Sequence, residues 1–224
     1  MPTWKCDASL SVEQLCHATT VCRREVSGSA SRFVAKVASM TAPSYWLTTE
    51  RLGLRRFTPA DLDWLAELYG DSNVTRYLGG VKSRSETQAF LETRILQYYD
   101  EHPGLGIWMT VERTTSARVG YHLLNHIRGE SIIQIGFALA KSAWGAGIAT
   151  EMANAVLRYG FLDLKLPRIA GMASLQNRAS QHVLLKIGLE RRGERAFAHP
   201  DYAAEGPMAW FERDREDWRA EHDS

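Results

Sequence analysis

Residues 131–164 read SIIQIGFALAKSAWGAGIATEMANAVLRYGFLDL. Ser131–Leu139 is an apolar, β-branched run with strand chemistry, and Glu151–Leu164 places apolar residues at helical spacing. Between them lies Ser142–Thr150, SAWGAGIAT, with Gly145 and Gly147 one residue apart. A strand, a Gly-x-Gly turn and a helix make a ready anion site. The first helical turn has N–H groups without intrahelical partners and the positive end of the helix dipole. Glycines let an anion approach those groups. The loop is therefore expected to hold a phosphate or pyrophosphate.

Three ligand classes use such loops. A nucleotide triphosphate loop ends in Gly-Lys-Ser/Thr, whereas Gly147 is followed by Ile148. A dinucleotide loop has a third Gly or Ala and an acid ending the next strand. Here position 150 is Thr, and the next strand, RIAGMAS, ends at Ser174. A coenzyme A loop and an ordinary strand-to-helix turn both remain compatible with these residues.

Composition narrows the class. The chain has 224 residues, 45% of them hydrophobic, enough for one sizeable core or one domain plus a tail. Lys and Arg total 27 against 26 Asp and Glu, so no basic excess points to nucleic acid. No apolar run reaches the ~18 residues of a membrane span, so no membrane attachment is expected, and the lack of cysteine from residue 23 onward reads as a cytoplasmic, reducing compartment. The cysteines are Cys6, Cys16 and Cys22, in a spacing that fits no zinc pattern, and no metal is expected. Residues 1–39 are rich in Ser, Ala and Thr and read as a weakly ordered extension; 40–224 form the domain.

The element order is mixed. A strand spans 51–57. Thr58-Pro59-Ala60-Asp61 starts a helix that runs to about Tyr69. NVTRYL (73–78) is a further turn, and Ser85 opens a helix over ETQAFLETRILQYYD. Strands are expected at GIWMTVER (106–113), RVGYHLLN (118–125) and 131–139. The loop and its helix follow, then strand 168–174, helix 178–188 and strands LERRGERAF and PMAWFER. This is α/β in content but not a regular βαβ alternation.

A second motif follows strand 168–174: Asn177-Arg178-Ala179-Ser180, with Leu185-Lys186-Ile187-Gly188 closing the next helix. WGAGIATE, NRAS and LLKIG together resemble the GCN5-related N-acetyltransferase (GNAT) superfamily, in particular its RimJ/RimL-type branch. TERLGLRRFTPADLDWLAEL (49–68) and FERDREDW (211–218) resemble that branch too. The similarity covers about residues 46–219. It implies a central, mostly antiparallel sheet splayed at a bulge, with helices on both faces. It also implies acetyl-CoA as co-substrate and an amine, on a small molecule or a protein N-terminus, as acceptor.

Site roles follow from the resemblance. Backbone N–H groups of Trp144, Gly145, Ala146, Gly147, Ile148, Ala149 and Thr150 would receive the pyrophosphate. Phe137, Ala138 and Leu139 would pair with the pantetheine arm and polarise the thioester carbonyl. Asn177 would bond the pantetheine amide or simply start its helix. Ser180 is the candidate proton donor to the departing thiolate. Gln134 stands where the branch often has Glu, and QHVLLKI (181–187) lacks the Tyr that many members use. His199, in AHPD, is the candidate base. A histidine of ordinary pKa ~6.5 is matched to an α-amino group of ~8 better than to a lysine of ~10.4. His126 and Glu130 lie before the central strand and within possible reach of the acceptor. Tyr77, Trp108 and Tyr202 are candidate acceptor-lining residues. The missing acid at 134 and the missing Tyr leave a non-catalytic acyl-CoA-binding or regulatory module as the alternative to catalysis.

Overall fold

The structure is a computed structural model that describes residues 44–202 and 206–222. The three cysteines and the 1–39 extension lie outside the described residues. The described residues all fall in the compact unit Ala42–Ser224.

Eight strands form one sheet: β1 (Leu47–Thr48), β2 (Leu52–Arg56), β3 (Gly106–Glu112), β4 (Arg118–His126), β5 (Ile133–Leu139), β6 (Arg168–Ser174), β7 (Glu190–Arg195) and β8 (Met208–Asp214). Their order is β1-β2-β3-β4-β5-β6-β8-β7. The β5–β6 pair is parallel and every other pair is antiparallel. The helices are α1 (Leu62–Gly70), α2 (Ser72–Thr75), α3 (Arg84–Phe90), α4 (Gln97–Glu101), α5 (Ile148–Leu162), α6 (Arg178–Lys186) and α7 (Arg215–His222).

Local chemistry explains most boundaries. Thr58 and Asp61 form a reciprocal capping box, with Pro59 at the first position of the turn, as the sequence predicts. The longer helix opens two residues before the expected Ser85. Ser83 is its cap, because its hydroxyl accepts from Glu86 N while Glu86 bonds back to Ser83 N. Leu91–Leu96 continues this helix as a π turn before α4. Short β1 and α7 carry no sequence expectation. α7 takes up the second half of FERDREDW and buries Trp218 against Phe161.

Helices cover both faces of the sheet. On β4, Tyr121 and His122 are adjacent and point to opposite faces. The Tyr121 hydroxyl meets that of Tyr69 on α1 at 2.9 Å, and His122 meets Ala149 on α5 at 3.3 Å. The α5 side chains Met152, Val156, Leu157 and Phe161 are buried with Leu124 and Ile135 in the main core. Each such side chain contributes roughly 1.5–3 kcal/mol by leaving water. A smaller cluster of Ile127, Ala170, Phe197, Met208 and Trp210 holds the 197–202 segment against the end of β4. No helix among the described residues is long and apolar enough to cross a membrane.

The central feature is a split. β5 and β6 share one pair, Gln134 with Ala170. From there to their C-terminal ends β5 keeps β4 on one side and has no strand on the other. β5 runs against β4 in one unbroken register, from His126↔Ile133 to Gly120↔Leu139. The splay therefore opens at the β5–β6 edge and not at a bulge in the β4–β5 ladder. Register shifts occur instead at Thr110/Val111 and Arg191/Gly193.

Candidate active site

The glycine loop leaves β5 through a short 3-10 turn, Lys141–Ala143. The Trp144 indole Nε1 donates to Leu139 O at 2.9 Å and closes the end of the strand. Trp144's backbone N–H donates to Lys141 O. It is spent within the turn, so this member of the expected pyrophosphate set drops out. Gly145 and Gly147 have φ of 75° and 77°. That left-handed conformation is what the two glycines supply, since a Cβ disfavours it. A Cβ at Gly145 would meet nothing within 4 Å, and one at Gly147 only Arg51 Nη2 at 3.7 Å. The loop's outer side is thus open. Glu151 N is the first amide of α5 to bond back, to Gly147 O. The N–H groups of Ile148, Ala149 and Thr150 precede it and have no acceptor in the helix. These residues fit a pyrophosphate.

Two contacts fix the loop against the sheet. Glu151 accepts from Thr49 Oγ1 at 2.5 Å and from Arg51 Nε at 2.7 Å, and Arg51 Nη2 also donates to Ala146 O at 3.1 Å. Burial raises the Glu151 pKa, but the bonds from Thr49 and Arg51 outweigh it and leave the carboxyl below its ordinary value. From beneath, His122 touches the first turn of α5. Its Nε2 lies 3.3 Å from Ala149 O, and its Nδ1 lies 2.7 Å from Thr110 Oγ1. A carbonyl can only accept, so Nε2 carries the proton and Nδ1 accepts from the threonine hydroxyl.

Across the split, Asn177 caps α6. Its Oδ1 accepts from Ser180 N at 3.1 Å. The helix-start reading of Asn177 therefore holds for its oxygen, while its amide N–H groups remain available to a ligand. Ser180 sits half-buried on the first turn of α6. Gln134, at the apex of the split, donates to the buried Asn125 at 3.3 Å.

At the opposite end of β5 from the glycine loop is a cavity of about 520 Å³. One wall comes from the π turn and α4, with Arg94, Tyr98 and His102. The other is the turn after β4, from His126 to Ser131. Tyr98 Oη lies 2.7 Å from His126 Nδ1 and accepts from His126 N at 2.9 Å, and the His102 and His126 rings are 4.8 Å apart. Burial, then the neighbouring His102, holds the His126 imidazole below its ordinary pKa. Glu130 is held by Arg195 Nη2 at 3.0 and 2.9 Å, and the Arg195 guanidinium lies over Phe197 and Trp210.

The sequence-derived acceptor residues separate. Tyr202 belongs to the cavity's surroundings: its hydroxyl accepts from Arg128 N at 3.3 Å, and its ring packs on Phe197. His199 is beside the same turn, since a Cβ on Gly129 would come within 3.5 Å of its ring. Trp108 does not line the cavity. It is 3% exposed and stacks on Trp46 at 4.4 Å, because its ring area is better spent in the core. Tyr77 is half-buried and also lies outside the cavity wall. The sequence reading passed over Arg94, Tyr98 and His102.

Residues 51–190, more than half of the chain, match the family described as "Acetyltransferase (GNAT) domain". The uncharacterized N-acetyltransferase YoaA of Bacillus subtilis (strain 168) is 31% identical over 155 residues, covering 66% of this chain and 84% of that protein. The solved GNAT-family acetyltransferase from Bacillus anthracis superposes with a TM-score of 0.63 at 26% identity, over 76% of this chain and 98% of that one. Spermidine N-acetyltransferase from Vibrio cholerae, solved with CoA and spermine, shares the fold. Its TM-score is 0.60 at 16% identity, over 76% of this chain and 99% of that one. The chain belongs to the GNAT family of acetyltransferases.

Proposed function

We propose that the protein is a RimJ/RimL-type N-acetyltransferase that moves the acetyl group of acetyl-CoA to a primary amine by direct attack. The observation that carries this reading is the split between β5 and β6. It opens from Gln134 and Ala170 toward the glycine loop, and the cavity lies just beyond its closed end. Acetyl-CoA supplies an activated acetyl thioester. The amides of Gly145 to Thr150 bind its pyrophosphate, the open edge of Phe137–Leu139 binds its pantetheine arm, and Asn177 bonds an amide of that arm.

The acceptor amine must be neutral to attack, because an ammonium has no lone pair. The new N–C bond forms as the C–S bond breaks. His199, beside the cavity's turn, takes the proton from the amine, and Ser180 gives one to the departing sulfur. A backbone N–H on β5 polarises the carbonyl oxygen. The acceptor enters through the cavity, with Tyr202 near its wall.

Purified full-length protein with acetyl-CoA and a panel of primary amines tests the reading. Free thiol is expected to appear with one equivalent of N-acetylated product, identified by mass. Acetyl-CoA bound without thiol release across amino acids, peptides, polyamines and aminoglycosides would overturn it in favour of an acyl-CoA-binding module.

A further inference from the structure

We infer that the cavity takes an acceptor that carries a carboxylate as well as its amine, an amino acid or short peptide, and that Arg94 recognises the carboxylate. This rests on the acetyl-transfer reading above and gives the acceptor its class.

Arg94 is half-buried in the cavity wall, and no carboxylate pairs with it among the described residues. Two other half-buried arginines each hold a carboxylate: Arg195 holds Glu130, and Arg55 holds Asp61 through two bonds. Taking a guanidinium partly out of water without an anion is costly. Arg128 adds to the cost. Burial first, and the charge of Arg128 second, pull the Arg94 pKa below its ordinary value. An anion bound at Arg94 would relieve both effects. The two acids in the wall do not fill that role. Glu130 is committed to Arg195, and Glu101 is exposed and accepts from Gln97 at 2.6 Å.

The backbone points the same way. Arg94 lies in the Leu91–Leu96 π turn, and Thr93 and Arg94 on that turn, with Tyr98 just after it, all line the cavity. A π turn interrupts regular helical bonding and re-aims the side chains that follow, and it recurs at functional sites. The cavity also borders the reacting centre. Ser131, in its wall, precedes the apex residue Gln134 by three positions, roughly 10 Å of extended chain. A guanidinium suits a carboxylate because its planar fork can donate two parallel bonds. A polycationic acceptor would instead meet Arg94 as repulsion.

Binding of product-like probes tests this without requiring turnover. N-acetyl-L-alanine, N-acetyl-L-phenylalanine and N-acetylglycylglycine, each beside its primary amide, are titrated into the full chain with and without CoA. At least one acid is expected to bind about tenfold or more tightly than its amide, the scale of a hydrogen bond to a charged group. In Arg94→Gln the acid should fall to the affinity of the amide, and Arg94→Lys should keep part of the preference. CoA affinity in each variant reports an intact fold. Equal binding of acid and amide, no binding of either, or a preference that survives in Arg94→Gln overturns the inference while leaving acetyl transfer standing. Failure of the unaltered chain to bind CoA overturns the acetyl-transfer reading, and the titrations without CoA still decide the carboxylate site.

Discussion

His122 on β4 and Ala149 on α5, 27 residues apart, meet at 3.3 Å through imidazole Nε2 and backbone carbonyl. A fully buried histidine thus joins the sheet to the first turn of the helix that carries the glycine loop. Burial lowers its pKa to about 4, from an ordinary 6.5, and the bond to Ala149 only partly opposes this.

That shift sets a pH dependence. Between pH 6.5 and about 4 the unfolded chain protonates His122 and the native chain does not. The native state is therefore favoured fully above 6.5 and loses stability as pH falls toward 4, by at most about 3 kcal/mol. His122→Gln removes the titration but keeps a hydrogen-bonding side chain. Its melting temperature is expected to be lower than that of the unaltered protein at pH 7, with the gap narrowing on acidification. Parallel curves for the two proteins from pH 7 to 4.5 would contradict the assignment.

Gly147 combines a positive φ with the start of α5. Gly147→Val places a β-branched side chain in a conformation it avoids, and on the open side of the loop. Acetyl-CoA affinity is expected to fall at least about tenfold, or ~1.4 kcal/mol, while circular dichroism shows the fold retained. Titration calorimetry reads this directly, and unchanged affinity would remove the pyrophosphate from the loop.

His199 lies beside the turn that walls the cavity. If it takes the acceptor's proton, His199→Ala should lower kcat/KM at neutral pH by roughly 10²-fold or more, within the range of general base catalysis. The acid limb of the pH profile should flatten. Activity should recover in part at high pH, where the amine is already neutral. Acetyl-CoA affinity should hardly change, because the glycine loop lies at the other end of β5. An unaltered pH profile in the variant would leave the proton to water or to His126.

The 1–39 extension is proposed to be dispensable. A protein beginning at Met40 is expected to keep both its melting temperature and its CoA affinity, measured beside the full chain. A clear loss of either would show that the extension contributes to the fold or the site.

Much of this protein was legible in sequence because its signals are local. Alternation and spacing give strands 106–112, 118–126 and 168–174 nearly to the residue, and they give helix α5 with its start three residues late, because the first turn lies in the glycine loop's own sequence. Thr58-Pro59-Ala60-Asp61 states its own cap, and Gly145 and Gly147 state a turn that needs positive φ. The Ser83–Glu86 cap was equally local but went to Ser85, since neighbouring serines compete for one role. Other features depend on what the chain meets after folding. The opening between β5 and β6 arises because two strands separated by a whole helix share a single pair. Trp108 reads like an acceptor residue until Trp46 stacks on it. His122 reads as one more histidine until Ala149 arrives above it, and Arg94 reads as the polar face of a helix. Only the fold brings Arg94 beside Arg128 in the cavity wall. Backbone conformation is set by neighbours in sequence, so sequence declares it. Burial and pairing are set by neighbours in space, so tertiary structure decides them.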